Sequence, residues 1–125
     1  MNIKIFNALL LLALSNNSFA GAYGLTMHSR ANCGNNESIT WHLGHTYDLK
    51  TISVHKRYDR NGYAGHHVVE TPWKETWRSA AVCWGEATSG YIVHGYHYIR
   101  DKKGQRMLAK TVAKDCSIYT GWWDS

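Results

Sequence analysis

Asn61-Gly62 narrows the fold more than any other feature of this chain. Both residues accept the positive φ of a tight type I′ turn, and both sides of the pair alternate in the period of a strand. In "KTISVHKRY", residues 50–58, Ile52 and Val54 share one face, while Thr51, Ser53, His55 and Arg57 share the other. "YAGHHVVE" follows from Tyr63. A two-residue loop sets Val54 across from Val69, and a four-residue loop sets His55 across from His66. Both registers keep His55, Arg57, His66, Val68 and Glu70 on one face.

A second hairpin is expected at "SGYIVHGYHYIR", residues 89–100, turning at "DKKG" and returning as "QRMLAKTVA". Ile92, His94, Tyr96 and Tyr98 lie on one face; Tyr91, Val93, Gly95, His97 and Ile99 lie on the other. An odd-sum register adds Met107, Ala109, Thr111 and Ala113 to the tyrosine face. That face carries no charge except Arg100, so Tyr96 and Tyr98 are expected inside with their hydroxyls bonded at the edge. Tyr91, His97 and Lys110 are expected outside.

Between the hairpins lies "TPWKETWRSAAVCWG", residues 71–85. Thr71 is placed to cap a helix, and Pro72 suits the first helical position. Trp73, Trp77, Ala80, Ala81 and Trp84 then form one apolar stripe at helical spacing, with Cys83 at its edge. Gly85 is a plausible stop. A strand through Ala80–Trp84 is the rival reading. "SITWHL", residues 38–43, reads as a short strand, and residues 21–37 as an irregular opening segment. The expected class is α+β, mainly β: a small five-stranded OB-like barrel with one helix between strands 3 and 4. An all-β sandwich is the alternative, should the tryptophan-rich segment be extended.

Residues 1–20 have the form of a secretory leader: Lys4, an apolar run around Leu9–Leu14, and Ser18-Phe19-Ala20 before a cut after Ala20. Residues 21–125 then form one secreted or periplasmic domain of about 105 residues. No later stretch approaches the roughly 20 apolar residues of a membrane span. Without Lys4 the chain keeps thirteen basic and nine acidic side chains, a net charge of +4. For a secreted chain this favours acidic glycans or lipid heads over nucleic acid. The cysteines are Cys33, Cys83 and Cys116, so one disulfide and one thiol are expected, with three pairings open. Asn36-Glu37-Ser38 fits the N-glycosylation triplet, relevant in a eukaryotic host.

Eight histidines invite a metal reading. In "HLGH" (His42, His45) and "HGYH" (His94, His97), however, strand geometry sends residues i and i+3 to opposite faces. No acid stands at a supporting spacing, so no metal and no cofactor are expected. Nucleophilic catalysis lacks a Gly-x-Ser-x-Gly elbow, and the nine acidic residues suggest no paired carboxylates; the chain is not expected to be an enzyme.

Strand, strand, strand, helix, strand, strand is the OB-fold order. With one disulfide and this size, the chain resembles the receptor-binding B subunits of bacterial A–B toxins. The stretch "TPWKETWRSAAVCW" followed by "SGYIVHGYHYI" corresponds to their helix-then-strand unit. The third cysteine and the many histidines depart from that family. The resemblance implies glycan recognition, a ring of copies and a catalytic toxin subunit as partner. In that picture Cys83 is a buried thiol beside the helix stripe, leaving Cys33 and Cys116 to bridge the chain ends.

The expected function is therefore a secreted glycan-binding module. It would meet a cell-surface glycan or glycoprotein as a homo-oligomer, and would not bind nucleic acid or span a membrane. The candidate contacts are His55, Arg57, Tyr63, His66 and Glu70, together with the terminal Trp122 and Trp123, which suit an interface or a stacking platform. The alternative is a periplasmic inhibitor or immunity protein that plugs a cognate enzyme with the "DRNG" or "DKKG" loop.

Overall fold

Residues 74–76 and 78–84 are strands, not a helix. Thr71 caps nothing: its N–H donates to the Thr51 carbonyl at 3.0 Å, and its hydroxyl accepts from the Thr51 N–H at 3.0 Å. The chain then passes from one sheet to the other, and residues 78–84 pair residue for residue with residues 35–41. Seven continuous ladder pairs bond the side of the strand that faces β2 and, among the described residues, leave its other edge open. They also bury Ser79 and Ala81 against the facing sheet. The tryptophan stripe dissolves. Trp73 lies under the Arg100 guanidinium, 4.7 Å from its ring centroid, and Trp77 is 48% exposed.

The computed structural model describes residues 23–84, 89–114 and 118–120. The leader, Cys116, Trp122 and Trp123 lie outside them. Among the described residues there are nine strands: β1 (Thr26–Arg30), β2 (Asn35–Trp41), β3 (Tyr47–Asp59), β4 (Gly62–Glu70), β5 (Lys74–Thr76), β6 (Arg78–Trp84), β7 (Tyr91–Asp101), β8 (Gly104–Ala113) and β9 (Ile118–Thr120). They form two antiparallel sheets, ordered β6-β2-β1-β9 and β4-β3-β7-β8, with β5 on the edge of β3 beside β4. The sheets pack face to face and do not close. Among the described residues neither the helix nor the five-stranded barrel expected from the sequence is present. The order of elements on which the toxin-subunit likeness was drawn is not the order of this chain. Residues 26–30, expected to be irregular, form β1. No helix among the described residues is long and apolar enough to cross a membrane.

Both hairpins form in the expected segments, but each carries a bulge. The first turns one residue before Asn61-Gly62, and only Gly62 of that pair takes the positive φ expected of a type I′ turn. In the first, Arg60-Asn61 is the two-residue turn, with Asp59 paired to Gly62. Ala64 and Gly65 together oppose Arg57, and the register shifts so that His55 faces His67 and Lys56 faces His66. A shift of one residue turns every later side chain over. The strip expected to share one face is thereby divided. His55 points inward and is fully buried, whereas His66, Val68 and Glu70 point outward.

The second hairpin repeats the pattern. Leu108 is the extra residue, and Val93, Gly95 and His97 face Ala113, Thr111 and Ala109. His97 is 0% exposed, and Tyr96 and Tyr98 are half-buried on the outer face. The expected burial of this strand is therefore inverted: its inner row is Val93, Gly95, His97 and Ile99.

The interior is layered. At one end Leu25, Met27, Leu49, Ile99, Leu108 and Ala109 form an apolar cluster; toward the other, Ala31, Val93 and Ala113 form a smaller one. Between them runs a belt of hydroxyls and imidazoles. His55 Nε2 meets Ser53 Oγ at 2.8 Å, Ser53 meets Ser38 at 2.9 Å, and Ser38 meets Ser29 at 2.8 Å. Ser29 meets Thr111 at 2.5 Å, and Thr111 meets His97 Nε2 at 2.8 Å. His97 Nδ1 meets Thr40 at 2.8 Å, and Thr40 meets Thr51 at 2.9 Å. The chain of bonds continues through Ser79 to the Thr71 hydroxyl at 3.1 Å. Every member has a partner, which is the condition for burying polar groups at low cost.

Gly95 lies against this belt. A Cβ there would come within 2.5 Å of Thr111 Oγ1 and 2.6 Å of both Ser29 Oγ and Ser38 Oγ. The asparagine of the glycosylation triplet is also inside: Asn36 is fully buried and accepts the Asn32 N–H at 2.8 Å. Cys33 is in a disulfide and Cys83 is a reduced thiol; Cys116, the expected partner of Cys33, lies outside the described residues.

Candidate ligand-binding site

The first hairpin builds a site at its turn end. Asp59 Oδ1 accepts the Asn61 N–H at 2.8 Å and pins the turn. Directly beside it Tyr58 pairs with Tyr63, their rings edge-to-face with centroids 5.6 Å apart. Gly65, at φ +114°, allows the bulge that a side-chain-bearing residue would strain. Past the bulge, His66 stacks on Tyr63 at 22° between planes, and the Tyr63 hydroxyl lies 2.5 Å from His66 Nδ1. Tyr63 is 56% exposed and Tyr58 37%. The turn thus presents a rigid, exposed row of three rings.

Beside the row lies a hollow of about 240 Å³ lined by Arg57, Ala64, Gly65, His66, His67 and Tyr91, with buried His55 behind. Tyr91 also borders a second hollow of about 520 Å³, with Asn32, Tyr58, Ser89, Gly90, Ile92 and Lys114. Asn32 holds the wall between them. Its Nδ2 donates to the Tyr91 and Lys114 carbonyls at 3.1 and 2.6 Å, and its Oδ1 accepts the Tyr91 N–H at 3.0 Å. The Tyr58 N–H donates to the Gly90 carbonyl at 2.7 Å. Two hollows flanking one tyrosine, with a cation in each, suit a ligand longer than one ring.

Of the residues expected from sequence, Arg57, Tyr63 and His66 meet here. His55 reaches the site only from behind, bonded to Ser53. Glu70 is remote: it faces Ile52 at the other end of β4 and pairs with Lys50. Trp122 and Trp123 lie outside the described residues. Sequence reasoning missed Tyr58, His67, Tyr91, Asn32 and Lys114. Tyr58 and Tyr63 were readable, since a hairpin places the residues flanking its turn side by side. Asn32 and Lys114 come from distant segments, and no local signal pointed to them.

The histidine motifs divide. His94 and His97 take opposite faces of β7. His42 and His45 do not sit on a strand; Leu43-Gly44 is a turn, and it brings the two rings edge-on with centroids 5.1 Å apart. Among the described residues no three His, Cys, Asp or Glu converge.

Burial sets the histidines' electrostatics. His97 is pushed down to about 3, first by desolvation and then by nearby His28. His28 is lowered by burial, against the opposing pull of Glu37. His94 is lowered by burial and then by Lys56 and Lys110. No family model, curated protein or solved structure matches the chain.

Proposed function

We propose that this chain is a secreted glycan-binding module, and that its sugar seats on the Tyr58–Tyr63–His66 row with the adjoining hollows as flanking subsites. The observation that carries this reading is the row itself. Exposed aromatic side chains on a locked hairpin offer flat apolar faces to the C–H face of a sugar ring, and their polar tips reach its hydroxyls. Rigidity matters because a platform already in place loses little conformational freedom on binding. Arg57, His67 and the Asn32-braced Tyr91 wall add hydrogen-bonding groups at its margin. Secretion rests on the leader form of residues 1–20.

A glycan array on the purified mature protein tests this. Binding to a defined set of oligosaccharides is expected, with Tyr63→Ala weakening it by up to about tenfold, since stacking on one ring contributes about 0.5–1.5 kcal/mol. Absence of any bound sugar at high micromolar protein would end the reading. The two hairpin turns lie at opposite ends of the β3–β7 ladder, so an enzyme cleft would take one or the other, not both.

A further inference from the structure

The outer face of the β4-β3-β7-β8 sheet has an uneven charge distribution. In the half toward the β7–β8 turn, acids and bases are matched: Asp48 with Arg100 at 2.6 Å, and Lys50 with Glu70. The half toward the β3–β4 turn is different. Lys56, Lys110 and Lys114 lie there with His66 and His94, and Arg60 stands at the turn beside Asp59, the one acid there among the described residues. No ion pair among the described residues includes any of those four cations.

The register turns part of this half into a line. Lys56 is directly opposite His66, so both point outward. His94 follows one row on in β7, beside Val54 and Val112. Lys110 follows one row further in β8, opposite Tyr96, with its Nζ 5.7 Å from that ring's centroid. His66, Lys56, His94 and Lys110 thus cross all four strands diagonally. At 4.8 Å between strands and 3.4 Å per residue, the line spans roughly 20 Å. Ile92, Val54 and Tyr96 lie beside it as half-buried apolar surface. It begins at the Tyr63–His66 stack and so continues the aromatic row.

We propose that the ligand is an extended, polyanionic oligosaccharide, bearing carboxylate or sulfate groups along its length, laid from the Tyr63–His66 stack over Lys56 and His94 to Lys110. This rests on the reading of the aromatic row as a sugar platform and specifies the sugar's class. Lys56 and Lys110 stand two rows apart, on either side of His94, and neither is in an ion pair among the described residues; a chain carrying anions at intervals offsets both charges while its rings cover the apolar strip. The charged groups facing His94 are Lys56 from β3 and Lys110 from β8; a bound anion offsets both. His94 therefore takes up a proton on binding, and affinity rises as pH falls through its titration.

The test compares three probes by calorimetry: a heparin hexasaccharide, the same hexasaccharide desulfated and carboxyl-reduced, and a single-stranded oligonucleotide of matched charge. The heparin hexasaccharide is expected to bind, weakening as ionic strength rises, with the uncharged counterpart at least tenfold weaker. Lys56→Gln with Lys110→Gln should reduce heparin affinity about tenfold or more. The His94 imidazole, followed by NMR, should titrate at higher pH in the complex. Equal binding of charged and uncharged hexasaccharides, an unaffected double variant, or an oligonucleotide as tight as heparin overturns the assignment while leaving a glycan platform standing. Failure of both hexasaccharides to bind removes the platform as well.

Discussion

Replacing His97 by Gln tests the polar interior. His97 is fully buried, and both ring nitrogens bond to hydroxyls, Thr40 and Thr111 at 2.8 Å each. Its folded-state pKa is depressed to about 3 from 6.5, chiefly because burial penalises the imidazolium. A depressed base binds its proton in the unfolded chain first. Stability is therefore complete above about pH 6.5 and falls as pH drops toward about 3, by about 1.4 kcal/mol per unit. Between pH 7 and pH 5 the loss is about 2 kcal/mol, a large part of the 5–15 kcal/mol typical of a small domain. His28 and His94 are lowered too and add slope of the same sign, but the variant retains both.

Urea unfolding at the two pH values, with the disulfide intact, gives the difference directly. His97→Gln should be weaker at pH 7, by about 1–3 kcal/mol, because an amide cannot reproduce both hydroxyl contacts. It should nevertheless lose about 2 kcal/mol less than wild type on moving to pH 5. An unchanged pH slope would mean that His97 titrates normally, and the dry, fully bonded belt would be wrong.

Two further changes probe the frame. Gly95→Ala pushes a methyl among three hydroxyl oxygens at 2.5–2.6 Å, so thermal unfolding should show a loss of about 1–3 kcal/mol; a variant as stable as wild type would mean that the sheets are less closely packed there. Cys33→Ser removes the disulfide and should cost about 2–5 kcal/mol by denaturant unfolding; a loss under 1 kcal/mol would mean that the bond restrains little of the unfolded chain.

Much of the β-structure was legible. Asn61-Gly62 and the "DKKG" segment marked both hairpins, and period-two alternation marked the strands on either side. The tryptophan segment misled because Trp73, Trp77, Ala80, Ala81 and Trp84 satisfy a helical stripe, whereas only Ala80, Ala81 and Trp84 occupy a strand, with Trp73 and Trp77 in the connections before it. What decides between them is the partner: β2 offers seven consecutive ladder positions to β6. A partner so distant in sequence leaves no local mark. The rival extended reading of Ala80–Trp84 matches β6. Arg57, Tyr63 and His66 were found because the turn gathers them locally. His55 and Glu70 were misplaced because a bulge at Gly65 has no reliable sequence signature beyond the glycine itself.

The inverted faces share one cause. Thr51, Ser53 and His55 alternate with Ile52 and Val54, and His97 and Gly95 alternate with Tyr96 and Tyr98. Each strand offers a small polar row and a large apolar row. Transfer energies alone favour burying the second. The chain buries the first, which is tenable because the rows from both sheets complete one another's hydrogen bonds and their small volumes let the sheets approach closely around Gly95. That pairing of hydroxyls holds in one register, and the bulge at Leu108 is what sets Thr111 opposite Gly95 and within reach of Ser29 and His97. The consequence falls on the outer surface. Val54, Val68, Tyr96, Tyr98 and Met107 are left facing outward, between Lys56 and Lys110 at one end and the Lys50–Glu70 and Arg100–Asp48 pairs at the other. A sandwich with an ordinary greasy interior would have hidden these side chains. The polar filling of this one and the adhesive character proposed for its sheet are thus two results of a single choice of which row turns inward.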